Sequence, residues 1–146
     1  MSGDAGTRPR RRLYLDTSAY LCILLGEEGS ERLSRATDGA ELLSSVLLIL
    51  ETRRNLTRLA REGALDAEQY RVCLDRVERD ASLLVLRDLT LELCQSTVLP
   101  AVITPRSLDL AHLRTALWFH AAEPIDRFVT TDTSQEQAAR ELGLPA

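Results

Sequence analysis

The sequence predicts an α/β protein in which a mostly parallel sheet is covered by helices on both faces. Short apolar runs rich in strand-forming residues alternate with amphipathic stretches along the chain, the pattern of βαβ crossovers. Gly and Pro punctuate the joins, while no internal repeat or linker divides the sequence. Two of the apolar runs are each followed at once by an aspartate.

Met1–Arg12 holds four arginines with Gly, Ser, Asp and Pro. It reads as a flexible arm preceding a single domain over residues 13–146. Leu13–Leu15 reads as a strand ending at Asp16, with Thr17 and Ser18 offering cap hydroxyls to a helix over Ala19–Leu25. Gly26 and Gly29 break that helix, and Ser30–Thr37 reads as another that stops near Gly39.

Glu41–Val46 reads as the second strand. Ser44 or Ser45 then caps a long helix running to about Arg61, with Gly63 beyond it. Ile49, Thr52, Leu56 and Leu59 recur at helical spacing and mark its core face. Asp66–Asp80 reads as an amphipathic helix, Leu83–Leu86 as a buried strand, and Asp88 to about Val98 as a further helix. Pro100 and Pro105 mark a loop, and Ser107 caps a helix with Leu108, Ala111, Thr115 and Trp118 on one face. Beyond Pro124, Ile125–Thr131 is rich in strand formers and ends at Asp132, and Ser134–Leu142 forms a closing helix before Gly143.

The 146 residues, 45% apolar and 27% charged, suit one globular core. The longest apolar run, Val46–Leu50, is far short of the roughly 18 residues of a membrane span. The arm has no apolar segment behind it such as a signal peptide carries. A cytoplasmic protein is expected. Cys22, Cys73 and Cys94 are odd in number and widely spaced, and only His112 and His120 could add nitrogen ligands. This argues against a disulfide framework or a zinc site and leaves oxygen as the donor for any metal. A net charge of −4 speaks against a protein that coats nucleic acid by bulk charge. All 18 basic residues are arginine, whose planar fork can grip a phosphate in local contacts.

Asp16 and Asp132 stand at carboxyl ends of strands, the edge where parallel sheets bind ligands, although each also suits a helix cap. Glu51 shares a helix face with Arg54, Asn55 and Arg58, where a surface pair would also explain it. Asp109 lies in the first turn of its helix, where a carboxylate complements the helix dipole.

Together the four acids, in the segments Leu13-Tyr14-Leu15-Asp16-Thr17-Ser18-Ala19, the helix carrying Glu51, Ser107-Leu108-Asp109-Leu110-Ala111-His112-Leu113-Arg114-Thr115-Ala116-Leu117 and Val129-Thr130-Thr131-Asp132, resemble a PIN-domain ribonuclease of the VapC-like toxin type. The ending Ala138–Leu144 shares the likeness, which spans Leu13–Leu144. The resemblance implies a three-layer α/β/α fold with a mostly parallel sheet of four to five strands whose order reverses beside the first. It also brings Asp16, Glu51, Asp109 and Asp132 into one catalytic, metal-holding pocket. Many relatives carry one more edge strand after the point where this chain reaches Ala146, and their first strand starts nearer residue one.

Two carboxylates about 5 Å apart repel by roughly 3 kcal/mol at an effective dielectric near 20. A cluster of four must therefore take up protons or bind a cation. Mg²⁺ or Mn²⁺ suits a site of oxygen donors, and with it the cluster would hydrolyse RNA, Glu51 or Asp132 orienting the attacking water. Thr17 and Thr130 flank two of the acids and are placed to orient them. His112, one turn from Asp109, reads as a core residue on an apolar face and not as a general base. Trp118 and Phe119 read as core. Arg53, Arg54, Arg58, Arg61 and Arg114 can grip an RNA backbone, or form an ordinary solvated face paired with Glu62 and its neighbours.

The partners that the resemblance implies are an RNA substrate and a small cognate antitoxin. A second copy of the chain is also expected, because the helices between Glu41 and Asp80 carry ample apolar surface. Two other enzyme-fold readings stand beside this one, a housekeeping PIN nuclease without an antitoxin and an inactive PIN-like binding module, against which the four acids argue. A receiver-like Mg²⁺-binding module would need a lysine near the site, and the chain has none.

Overall fold

The computed structural model describes residues 9–95 and 106–146. The expected arm as far as residue 8, the helical continuation to Val98 and the Pro100–Pro105 loop lie outside the described residues. Strands β1 (Arg12–Leu15), β2 (Glu41–Ser45), β3 (Val85–Arg87) and β4 (Arg127–Val129) form one parallel sheet in the order β3-β2-β1-β4. The helices are α1 (Thr17–Leu25), α2 (Ser30–Thr37), α3 (Leu47–Arg61), α4 (Ala67–Ala81), α5 (Leu91–Gln95), α6 (Ser107–Ala122) and α7 (Thr133–Glu141).

Side chains alternate across the sheet. Tyr14, Leu43 and Phe128 face one way and pack on Leu113, Ala116 and Phe119 of α6 and on Ala138 and Ala139 of α7. Leu13, Leu15 and Val129 face the other way, against Ala19 of α1 and Leu33 of α2. The α3–α4 hairpin joins the second layer through Tyr20, Leu24, Leu48, Leu56 and Val77. The result is the three-layer α/β/α arrangement that the sequence predicts.

Arg12 opens β1 and registers it against β4. Asp126 Oδ2 accepts its backbone N–H at 2.6 Å, and its guanidinium bonds the Glu123 carbonyl and lies near the Glu41 and Glu123 carboxylates. Because β1 has β2 on one side and β4 on the other, the direction of strand addition reverses at β1. The crevice above the carboxyl ends of β1 and β4 is thus the switch point where such sheets bind ligands.

Several expectations change in detail. The apolar run Leu83–Leu86 gives only the short edge strand β3, with Leu83 79% and Val85 42% exposed. The cap of α1 is Asp16 and not a hydroxyl of Thr17 or Ser18. Neither Ser44 nor Ser107 caps a helix: Ser44 Oγ donates to the Leu15 carbonyl, and Ser107 is the first residue of α6. Ser45 Oγ does accept from the Leu47 N–H at the start of α3. On α6 the buried face is His112, Leu113, Thr115, Ala116 and Phe119, whereas Trp118 is partly exposed beneath the Arg87 guanidinium, 4.1 Å from its ring centre. Among the described residues no helix is long and apolar enough to cross a membrane.

Candidate active site

Asp16 leaves β1 in extended backbone and turns the chain into α1. Its Oδ1 accepts from the Ala19 N–H (3.1 Å) and Ser18 Oγ (2.7 Å), and its Oδ2 accepts from Thr130 Oγ1 (2.6 Å). Thr130 lies just past β4, so one hydroxyl ties the two strand ends together across the switch point. Asp132 caps α7 in the same manner, its Oδ1 accepting from the Ser134 and Gln135 N–H groups. The capping role considered for both aspartates is therefore present. It uses one oxygen of Asp132 and leaves Oδ2 without a hydrogen bond among the described residues.

Glu51 does not form the surface pair with Arg54 or Asn55. Its side chain is 18% exposed and turns toward α1 and α6, where its Oε1 accepts from Thr17 Oγ1 at 2.9 Å and lies 2.8 Å from His112 Nε2. Asn55 instead donates to the Glu51 backbone carbonyl. The carboxylate of Asp109 takes no hydrogen bond among the described residues, while its backbone carbonyl accepts from Gln135 Nε2 at 2.8 Å, docking α6 to α7.

Electrostatics link these groups. Burial pushes the Asp109 carboxyl above the usual carboxylate range, and the charges of Asp132, Asp16 and Glu51 push it further against the opposing guanidinium of Arg106. The charges of the other three sequence-predicted acids thus reach Asp109. Asp16 is also raised, chiefly by burial, against the hydrogen bonds from Thr130, Ser18 and the Ala19 N–H and the nearby His112.

The folded protein therefore holds protons at Asp16 and Asp109 that the unfolded chain releases near pH 4. The stability from this source is complete below about pH 4 and is lost as pH rises through the two raised values. Without divalent cations, wild-type protein is expected to lose thermal stability relative to Asp109→Asn as pH rises from about 4 toward neutrality. Melting curves of the two proteins across that range check this, and parallel curves would contradict it.

As the side chains stand, no group of three or more His, Cys, Asp and Glu among the described residues is placed to hold a metal ion. The donor set nevertheless fits a hard cation. It consists of carboxylate oxygens, of which those of Asp109 and one each of Glu51 and Asp132 are without hydrogen bonds among the described residues. Mg²⁺ keeps several of its waters and needs only one or two direct carboxylates, so convergence of the four is not required.

Sequence reasoning did not find the contact between His112 and Glu51, the Ser18 bond to Asp16, or Arg106 beside Asp109. The Asp-x-x-His spacing, which puts Asp109 and His112 one turn apart on a helix, was the available signal for the first. Of the arginines considered for RNA, Arg58 pairs with Glu62 at 2.9 Å and Arg53 lies 3.6 Å from Glu78, the ordinary arrangement. Arg54 and Arg61 are exposed. A cleft of about 490 Å³ opens between α2 and β4 beside the site, with Arg32, Arg127, Thr130 and Thr131 in its walls.

The chain is 32% identical over 135 residues to ribonuclease VapC35 from two strains of Mycobacterium tuberculosis, a match covering 90% of this chain and 93% of the relative. No family model matches it.

Proposed function

Since the chain belongs to the VapC family of PIN-domain ribonucleases, we propose that it is an endoribonuclease that hydrolyses RNA phosphodiester bonds at Asp16, Glu51, Asp109 and Asp132. We take it to act as the toxin of a toxin–antitoxin pair. The observation that carries this reading is the placement of Asp16 and Asp132 at the sheet's switch point, where Thr130 ties the ends of β1 and β4 together through Asp16, with Asp109 near enough to feel the charges of Asp16, Asp132 and Glu51.

The four acids are the residues that would hold Mg²⁺ or Mn²⁺. Such an ion supplies charge that neutralises a phosphate oxygen and acidity that activates water. The protein's own part is rigid placement. Asp16 is fixed by three donors, Asp132 by the first turn of α7, and Glu51 by Thr17 and His112. Glu51 and Asp132, each with an oxygen to spare, are suited to orient the attacking water. Arg32 and Arg127 line a path for the RNA backbone leading to Thr130.

The antitoxin in this reading covers the groove and places a basic side chain near Asp16 and Asp109, where an arginine can bond two carboxylate oxygens at once. Pairing of two copies also belongs to the reading, with exposed Leu50 and Val72 on the α3–α4 hairpin as available apolar surface. Brief induction is expected to arrest growth and to create new RNA 5′ ends that the purified chain reproduces on the same RNA. Co-expression of the adjacent short reading frame should relieve the arrest and yield a complex. Cleavage without relief or complex would favour a housekeeping nuclease, and a folded chain that cuts no RNA with either cation would overturn the enzyme reading.

A further inference from the structure

A chain of polar groups runs from the middle of the sheet to one carboxylate of the cluster. Tyr14 is wholly buried in β1, its ring stacked on Phe128 at 5.3 Å. Its hydroxyl lies 2.8 Å from His112 Nδ1. The other ring nitrogen, Nε2, lies 2.8 Å from Glu51 Oε1 and 3.0 Å from Thr17 Oγ1. His112 itself is 2% exposed.

Donor and acceptor roles along this chain are constrained. An ionised carboxylate only accepts, so the proton between His112 and Glu51 belongs to Nε2. In the neutral ring Nδ1 is then an acceptor, and the Tyr14 hydroxyl must donate to it. Two other hydroxyls near Tyr14, those of Ser44 and Thr115, send their own protons to the carbonyls of Leu15 (2.6 Å) and Ala111 (2.7 Å). Neither hydroxyl donates to Tyr14, and His112 Nδ1 has no other donor among the described residues, so the Tyr14 O–H goes to His112. Thr17 Oγ1 donates to the same Glu51 oxygen at 2.9 Å, so Glu51 Oε1 is held from two directions and Oε2 is turned toward no partner among the described residues.

We propose that His112 is a positioning residue for Glu51, and that Tyr14 sets the tautomer with which it does so. His112 is then neither inert core nor general base: it fixes a long, flexible carboxylate in the orientation in which it takes part in the cluster. The inference rests on the reading of that cluster as a divalent-cation site.

The test measures Mn²⁺ binding to RNA-free protein by electron paramagnetic resonance, alongside melting temperature. His112→Leu keeps the apolar volume and removes the donor, and is expected to weaken Mn²⁺ binding about 10- to 100-fold, the range for losing a group that orients a ligand. His112→Gln, whose amide can donate to the same oxygen, should recover most of the affinity. Tyr14→Phe, which keeps the stacked ring, should weaken binding several-fold. Should the histidine variants fail to fold, Tyr14→Phe decides. Wild-type affinity in folded His112→Leu or Tyr14→Phe overturns the proposal, as does a loss that glutamine fails to restore and that only tracks melting temperature. If wild-type protein itself binds no Mn²⁺, the cation-site reading falls and this inference falls with it.

Discussion

Asp16→Asn and Asp132→Asn are each expected to lower RNA cleavage by roughly 10²- to 10³-fold, the loss typical for one preorganised group acting on transition-state charge, while the protein stays folded. Asparagine is the informative replacement because both aspartates are helix caps. Asparagine caps as well as aspartate, and its carbonyl oxygen can take the place of Oδ1 toward Ala19 in one case and toward Ser134 and Gln135 in the other. What the substitution removes is charge. At Asp16 that charge sits in a buried position that disfavours it, so the variant is expected to melt no lower than wild type without metal at neutral pH. Asp66→Asn is the control. Asp66 caps α4 through a reciprocal capping box with Gln69, is exposed, and its carboxylate takes no hydrogen bond among the described residues other than the one from the Gln69 N–H. If all three variants cleave RNA like wild type, Asp16 and Asp132 are caps and nothing more; loss at the first two alone separates catalysis from capping.

The caps also show what the sequence makes legible. Ser30–Thr37 forms the helix expected of it, and the strand–Asp–helix join at Asp16 appears as predicted, because both signals are local; at Asp132 the cap is as expected, but β4 covers only Arg127–Val129 of the expected Ile125–Thr131 and ends before Thr130 and Thr131. Choosing among Asp16, Thr17 and Ser18 for the cap was not possible from spacing alone, since all three are good capping types. The structure uses each differently: Asp16 caps, Thr17 reaches Glu51, and Ser18 bonds Asp16.

Harder to read was anything set by non-local packing. Four apolar residues in a row at Leu83–Leu86 suggest a strand buried on both faces, yet strand order puts β3 at the edge, where Leu83 and Val85 stay exposed. Helical periodicity placed Glu51 correctly away from Leu56. It could not show that this side faces α1 and α6, where Thr17 and His112 wait, and so it offered only a surface pair. Similarly, the face of α6 was rotated by one position, with Phe119 in the core and Trp118 outside, because a mostly apolar helix has little periodic contrast to orient it.

Chelation of divalent cations by EDTA is expected to stop RNA cleavage, and Mg²⁺ or Mn²⁺ to restore it. The same cations should stabilise the fold without RNA. Asp16 and Asp109 are held above the usual carboxylate range, by burial first and at Asp109 also by the neighbouring acids. A cation offsets the repulsion and binds the folded cluster more tightly than the unfolded chain. At a free concentration about 100 times the dissociation constant this contributes about 2.7 kcal/mol, which for a chain near this length corresponds to roughly 5–10 °C in melting temperature. The shift should grow as pH rises from about 5 toward 7, because protons and cation compete for the same oxygens and the raised carboxyls give up their protons late. It should shrink in Asp16→Asn and Asp109→Asn, and remain in Asp66→Asn, whose carboxylate lies outside the cluster. Differential scanning fluorimetry with and without Mn²⁺, paired with cleavage assays in EDTA, reads both effects. Full cleavage in EDTA would rule out the metal-dependent mechanism, and an equal stabilisation of all three variants would mean that the cation binds somewhere other than these acids.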